Sequence, residues 1–374
     1  MIVVSNIEYK AFLKGFDVVV CESTEKTIQD VYDTEIDITL VFDKNDYYRQ
    51  EEFARRVGRY RCRRIDLQDC ETVTEYVEKH GTDGFITLVE QAVEYPIEGL
   101  FRAEEFYNEL DYYKKHGYPD TIETDMYHFD NHIKFYPGKI TTVTGVPSHG
   151  KSNFIECILI LLARHGGKYA IFSPEHGVTE QLERLMSIYT GINFDYIAGD
   201  VYQEAKQFIN EHFFFIQSKD NDFTINEIIA ASMDCVGLYG INGVLIDPWN
   251  MIEHQSKQGE TQHEYTGRTL TYIKNKIKQL GIFLIIIAHP RKMPKNSDGF
   301  YLVPTAYDIS DSAHWYNKSD NILSVYREKQ VVEGVVVDKQ TNVYIQKIKI
   351  SRHGKQGVCR FNFDKDSKRF YEIK

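Results

Sequence analysis

Eight consecutive residues, Gly145, Val146, Pro147, Ser148, His149, Gly150, Lys151 and Ser152, fit the pattern GxxxxGK[ST], between a β-branched run and an amphipathic run suited to a helix. A loop entering a helix in this way presents backbone N–H groups that lack intrahelical partners, at the positive end of the helix dipole. It can therefore cradle phosphate oxygens. Lys151 would reach the β- and γ-phosphates of a nucleotide, and the Ser152 hydroxyl would hold Mg²⁺. The cofactors expected are ATP and Mg²⁺. The competing reading is a chance match, which the strand and helix flanks disfavour.

Phosphoryl transfer is mostly positioning and charge stabilisation, so such a loop needs carboxylates beside it. Asp247 closes the apolar run GVLID over 243–247 and is the candidate on the metal side. Glu175 closes the run FSPE over 172–175, in the strand after the loop's helix, and is the candidate for polarising the attacking water. A third apolar run, 281–288, ends in His289, Pro290, Arg291 and Lys292. A polar side chain at that strand end faces the same sheet edge as the nucleotide, so His289 could sense the γ-phosphate and pass its presence to the loop beyond. Acids at strand ends are common on surfaces, and a histidine there can also be a helix cap or a surface residue.

The elements that must position these groups follow from periodicity. From residue 139 onward, strands over 139–145, 168–173, 212–217, 243–248 and 282–289 are separated by helices, including one over 152–165. Apolar, β-rich strands alternating with helices imply an α/β fold with a mostly parallel sheet covered on both faces. After Asp320 the runs 321–328, 342–351, 358–364 and 369–374 read as β-hairpin strands. Residues 16–93 form a smaller α/β unit, with strands expected at 16–21, 36–43 and 62–67, a helix at 50–57, and separate elements at 71–79 and 84–92. Pro96 and Gly99 interrupt that pattern. A helix over 100–116 follows, stopped by Gly117, Tyr118 and Pro119. The domains expected are 1–98, a linker helix in 99–120, and 121–374.

The 374 residues, 42% hydrophobic and 26% charged, can bury a sizeable core. A formal net charge of −11 excludes a basic coat for nonspecific nucleic-acid binding, so any such contact must be local. Cys21, Cys62, Cys70, Cys157, Cys235 and Cys359 show no CxxC pair and read as buried free thiols in a reducing compartment. No apolar run reaches the roughly 18 residues of a membrane span. A protein without membrane contact is expected, in the cytoplasm of a bacterium or a phage-infected host.

The phosphate loop, Glu175, Asp247 and the strand ending in His289, Pro290, Arg291 and Lys292 occur in an order that resembles the RecA-like core of the DnaB family (superfamily 4) of hexameric replicative helicases. Within it, the branch of the mitochondrial helicase Twinkle and the phage primase-helicases is similar. Glu253 and His254, then His263, Glu264 and Tyr265, and the segment Asp308, Ile309, Ser310, Asp311, Ser312 to Asn321 resemble motifs of that branch. The resemblance covers about residues 120–365. It implies an ATP-driven helicase moving 5′ to 3′ on single-stranded DNA as a ring, with ATP hydrolysed between subunits. Arg352, in a segment similar to the family's K-x-R turn but with Lys349 three residues before it, would be the arginine finger. Arg327 and Phe363 would hold the base. Arg291, Lys292 and Lys295 after the sensor, with Lys257 and Arg268 in the other loop, would contact DNA phosphates. Six copies would line a positive channel in an acidic particle.

The stretch around Asp43, Lys44, Asn45 and Asp46, with 52–58 and 62–67, resembles the second half of a TOPRIM fold. Asn45 stands where a second aspartate is expected, and Glu22, the candidate glutamate, is followed by Ser23. The resemblance implies a shortened remnant without primase activity. Partners implied are forked DNA, further copies of the chain as a hexamer, and a separate primase, polymerase or single-strand-binding protein. Two other readings are a RecA-like ATPase forming filaments on DNA and a nucleotide switch without unwinding.

Overall fold

The structure, a computed structural model, describes residues 1–21, 24–31, 37–94, 103–116, 121–217, 223–253, 255–309, 312–333 and 335–373. Glu22, Ser23, Pro96, Gly99, Gly117, Tyr118, Pro119, His254, Ser310 and Asp311, named above, lie outside the described residues, as does the start of the expected 100–116 helix. The chain forms two compact units: Met1–Asp120 with Val236–Gly240, and Thr121–Cys235 with Ile241–Lys374.

The first unit carries β1 (Ile2–Val4), β2 (Val18–Val20), α1 (Thr24–Val31), β3 (Ile38–Val41), α2 (Tyr47–Val57), β4 (Cys62–Arg64), α3 (Val73–Glu90), β5 (Val93–Glu94) and α4 (Tyr107–His116). Its sheet runs β2-β1-β3-β4-β5, parallel except for the last pair. Side chains alternate across a strand, so the sheet feeds two cores. Ile2, Val4 and Val41 pack with Phe85 on one face, while Val3 and Leu40 pack with Phe53 on the other. The elements expected at 71–79 and 84–92 are two helical segments of α3 that meet at Gly81, whose non-helical φ of 75° and ψ of 168° suit a residue without Cβ. Asp43, just beyond β3, has both carboxylate oxygens occupied: the Val73 N–H donates to one at 2.7 Å and the Tyr9 hydroxyl to the other at 2.6 Å. That carboxylate fastens the start of α3 to the sheet.

The second unit holds α5 (Tyr127–His132), β6 (Ile140–Thr144), α6 (Lys151–Arg164), β7 (Tyr169–Phe172), α7 (Val178–Thr190), α8 (Gly199–His212), β8 (Phe213–Phe215), α9 (Ile225–Tyr239, whose last turn belongs to the first unit), β9 (Gly243–Ile246), α10 (Gln262–Leu280), β10 (Phe283–Ile287), α11 (Ser312–Lys318), β11 (Asn321–Val332), β12 (Val335–Ile348), β13 (Gly357–Phe363) and β14 (Phe370–Glu372). One sheet runs β14-β13-β12-β11-β6-β10-β9-β7-β8, parallel from β11 to β8 and antiparallel beyond β11. β6 and β10 are buried along their whole length, which explains their unbroken apolar or β-branched sequences. Phe154 of α6 meets Phe129, Phe361 and Phe370 edge-on, seating the helix that follows the phosphate loop.

At the amino edge of this sheet Asp320 acts as a staple. Its carboxylate, 3% exposed, accepts from the Ile140 N–H at 3.1 Å and the Lys274 ammonium at 2.9 Å, with Lys349 at 3.8 Å. Removing the acid would leave a half-buried lysine with only the Lys318 carbonyl at 2.9 Å and no counter-charge, and a buried N–H without its acceptor. Asp320→Ala should therefore lower the unfolding free energy of this unit by about 3 kcal/mol. Urea unfolding followed by the fluorescence of Trp249 and Trp315, both buried in this unit, would read that loss.

Candidate nucleotide site

Register puts the candidate groups on one edge. Thr144, Phe172, Ile246 and Ile287 end parallel strands whose partners run Val143 to Ile287, Ile246 to Ile286 and Phe172 to Ile246. The loop from Gly145, Glu175, Asp247 and His289 each begin within three residues of those ends, at the carboxyl edge where open α/β sheets bind ligands.

The loop itself is shaped by glycine. Gly145 has φ of 153°, and a Cβ there would collide with the Val325 carbonyl oxygen. Gly150, left-handed at φ 87°, caps the amino end of α6 and leaves the helix's first N–H groups facing the loop. Lys151 is 5% exposed and donates to the carbonyl oxygens of Gly145 at 3.0 Å and Val146 at 3.2 Å. Burial pulls its ammonium down to about 8, against the upward pull of Asp247 and Glu175. Asp247, 2% exposed, is pushed up to about 6 by burial; a hydrogen bond from Ser152 lowers it, while the charges of Glu156 and Glu175 raise it. Glu175 is exposed on the turn between β7 and α7. The His289 imidazole is lowered by burial and by Lys151, and its Nδ1 is buried with no partner among the described residues.

Other buried hydroxyls at the same strand ends, Thr144, Ser173 and Ser324, also lack a partner among the described residues. A cradle that only glycine fits, a buried ammonium, a hydroxyl bonded to a carboxylate and a rim of unsatisfied polar atoms suit a polyphosphate with a divalent cation. Ser152 and Asp247 would hold the cation, and Lys151 with the loop N–H groups the phosphates.

Three further features were not foreseen from the sequence: a contact of His149, already placed in the phosphate loop, and two made by residues not singled out there. His149 is 7% exposed, and its Nδ1 accepts the Arg327 backbone N–H at 3.0 Å, tying the phosphate loop to β11. Burial, then Lys329, Arg327 and Lys151, lower its imidazole to about 4. Glu156, one helical turn beyond Ser152, receives Arg184 in both oxygens at 2.9 and 2.7 Å. Gln181 bonds the backbone of the Glu175 turn. The i to i+4 spacing of Ser152 and Glu156 on one helix face was the available signal.

The remaining candidates separate into places. The Arg327 guanidinium lies 5.1 Å from the Phe363 ring centroid and close to Gly150, on the nucleotide side. Arg291, Lys292 and Lys295 are exposed on the loop beyond His289. The Arg291 N–H bonds the Asp308 carbonyl at 2.7 Å, and the Lys295 ammonium lies 4.9 Å from the Tyr301 ring centroid. Lys257 is exposed, whereas Arg268 is held bidentately by Glu260 at 2.8 Å, so a phosphate there must compete with a carboxylate. Arg352 is exposed at the opposite edge: β12 ends where Ile348 faces Asn321, and Asn321 faces Thr141 at the start of β6. All six cysteines are unpaired. Cys70 lies with Asp69 and His80 at metal-ligand spacing, within 4.8 Å, but Asp69 is ion-paired with Lys79.

A mostly parallel sheet with a glycine-built phosphate loop at its carboxyl edge defines a P-loop nucleotide-binding domain. The family model described as "DnaB-like helicase C terminal domain" matches residues 121–372, and the chain belongs to that family. It is 31% identical over 298 residues to the "Twinkle homolog protein, chloroplastic/mitochondrial" of Arabidopsis thaliana, covering 75% of this chain and 42% of that protein. The chain thus spans about two fifths of that relative's length. A solved ATPase domain aligns at TM-score 0.58 and 15% identity, over 74% of this chain and all of that one. A DnaB-like replicative helicase, solved in a study of its interactions with primase, aligns at 0.59 and 16%, over 80% of this chain and 73% of that one. These likenesses establish the RecA-like fold.

The His149 imidazole yields a pH prediction. The unfolded chain binds its proton near 6.5 and the native one only near 4, so its contribution to stability is present above 6.5 and is lost as pH falls through 4. In His149→Asn an amide oxygen can accept the same N–H without titrating. Between those pH values the urea midpoint of the wild type should fall more steeply than that of His149→Asn.

Proposed function

We propose that the protein is an ATP-dependent replicative DNA helicase that moves on single-stranded DNA, in the 5′ to 3′ sense, as a hexameric ring. The observation that carries this reading is the meeting of the 145–152 loop, Glu175, Asp247 and His289 at one sheet edge, in a chain of the DnaB-like family. Lys151 and the N–H groups at the start of α6 would bind the phosphates, and Ser152 and Asp247 would hold Mg²⁺, which would neutralise charge on the phosphate oxygens. Glu175 orients and polarises the attacking water. The neutral imidazole of His289 answers to the γ-phosphate and passes its state to the loop of Arg291, Lys292 and Lys295, which grips the DNA backbone. Lys257, and Arg268 when released from Glu260, add contacts on the neighbouring loop. Arg327 and Phe363 part to admit the base.

Arg352 lies at the sheet edge opposite its own phosphate loop, which supports its service to the site of the next copy. The first unit works as a primase-inactive collar or docking piece, since Asp43 is engaged with Val73 and Tyr9 and Asn45 offers no carboxylate. Forked DNA, a separate primase, a polymerase or a single-strand-binding protein are the partners proposed. Among the described residues no helix is long and apolar enough to cross a membrane, and we propose a cytoplasmic setting.

ATP hydrolysis should be stimulated by single-stranded DNA, and the protein should displace a strand from forked DNA with ATP. Lys151→Ala should abolish both. Glu175→Gln should bind nucleotide at near wild-type affinity and lose at least about 100-fold in hydrolysis. Wild-type hydrolysis indifferent to DNA would overturn the reading. Mixing Arg352→Ala with Lys151→Ala subunits should restore part of the hydrolysis that each lacks alone, and no recovery would refute a finger acting in trans.

A further inference from the structure

We infer that Gln181 is a positioning residue that sets the orientation of Glu175, and that the pair of buried Glu156 with half-buried Arg184 ties this device to the helix of the phosphate loop. The inference rests on the role given to Glu175 above. Glu175 is exposed, so its own contacts do not fix where its carboxylate points; the backbone of its turn does. That turn, between Phe172 at the end of β7 and Val178 at the start of α7, has His176 beside Glu180 of α7 at 3.6 Å and is held at two carbonyls by a single buried side chain of the same helix. Gln181, 1% exposed, donates from Nε2 to the Ser173 carbonyl at 3.2 Å and to the His176 carbonyl at 2.9 Å. The two acceptors flank Glu175, so the amide closes the turn on both sides of it.

Packing does not explain an amide at this position. With Nε2 committed to the two carbonyls, Oε1 is buried and has no partner among the described residues, as has the Ser173 hydroxyl. An unpaired buried acceptor costs stability, and an apolar side chain of the same shape would fill the space without one. What only the amide supplies is the grip on the turn.

The grip has an anchor. One turn along α7, Arg184 forms a bidentate pair with Glu156, which is 1% exposed and four residues beyond Ser152 on α6. Planar two-point pairs of this kind resist rotation as well as separation. A rigid path therefore runs from the phosphate loop through α6, Glu156, Arg184 and α7 to Gln181, and ends at Glu175.

The test is a double-mutant cycle read by single-turnover phosphate release on the full chain, with nucleotide affinity and urea midpoint measured in parallel. Gln181→Met keeps the volume and removes both donors. It should lower the hydrolysis rate about tenfold, since small misplacement of a reacting group is enough for that, while leaving nucleotide Kd near the wild-type value. In a Glu175→Gln background the same substitution should change nothing further, because its effect passes through Glu175. An equal tenfold loss in both backgrounds, a wild-type rate in Gln181→Met, or a parallel loss of nucleotide affinity would overturn the inference. Should Gln181→Met fail to fold, Gln181→Asn, which retains the amide one methylene short, carries the same cycle and should show a smaller loss that also vanishes in Glu175→Gln. If Glu175→Gln alone hydrolyses at the wild-type rate, the role of Glu175 falls, independently of the result at Gln181.

Discussion

Two opposite charges held where water scarcely reaches them govern this protein. Lys151 and Asp247 are 5% and 2% exposed, and burial moves each toward its neutral form, to about 8 and about 6. For the lysine that displacement from 10.5 corresponds to about 3 kcal/mol, a cost that no surface residue bears. Loop carbonyls at 3.0 and 3.2 Å satisfy its hydrogen bonds without compensating its charge. A polyphosphate beside Lys151 and a divalent cation beside Asp247 would restore both groups at once. An affinity for a metal-bound nucleotide would thus be the other side of the electrostatic cost that the site carries.

Everything else at the carboxyl edge serves to hold that pair in place. Parallel register brings the ends of β6, β10, β9 and β7 level, so four loops of different sequence converge without touching one another in the chain. Gly145 and Gly150 remove the Cβ atoms that would push the loop away from β11 and Arg327. His149 then bonds β11 itself, which links the phosphate loop to the strand that carries Arg327 toward Phe363. The groups proposed for phosphate and for base thereby sit on segments joined by a direct hydrogen bond.

The parts legible in the sequence are those in which chemistry is compressed into a few neighbouring residues. The loop could be recognised because its glycines, lysine and serine sit at fixed spacing, and the acids because they close apolar strands. The central strands were visible because burial on both faces leaves no polar alternation. Gln181 and Arg184 were not visible: on an amphipathic helix they look like ordinary polar positions, and their partners lie 8 and 28 residues away, within reach only after α7 packs on α6. The split expected in α3, by contrast, was legible, since Gly81 at φ 75° and ψ 168° interrupts the helical backbone there. Arg268 looked like a free cation because Glu260, eight residues earlier, reaches it only through the turn before α10. The edge on which Arg352 falls depends on the order of strands in the sheet. There β11 lies beside β6 and β12 beside β11, although both come far later in the chain than β6, and no local pattern encodes that.

That sheet order gives the proposed assembly its polarity. The phosphate loop follows β6 at the carboxyl edge, whereas β11 and its antiparallel partner β12 return the chain to the amino edge, where Arg352 stands beyond Ile348. Residues at opposite ends of the same strands cannot converge on one nucleotide within one copy. For the finger to reach a phosphate, the amino edge of one copy must face the carboxyl edge of the next. Such a contact is heterologous, because two different surfaces meet, and it would propagate from copy to copy, into the proposed ring where the rotation closes, instead of closing as a two-fold dimer. In the proposed ring the acidic total of −11 would matter little to DNA at the centre, because head-to-tail repetition would bring the loops of Arg291, Lys292 and Lys295 from every copy to the same radius.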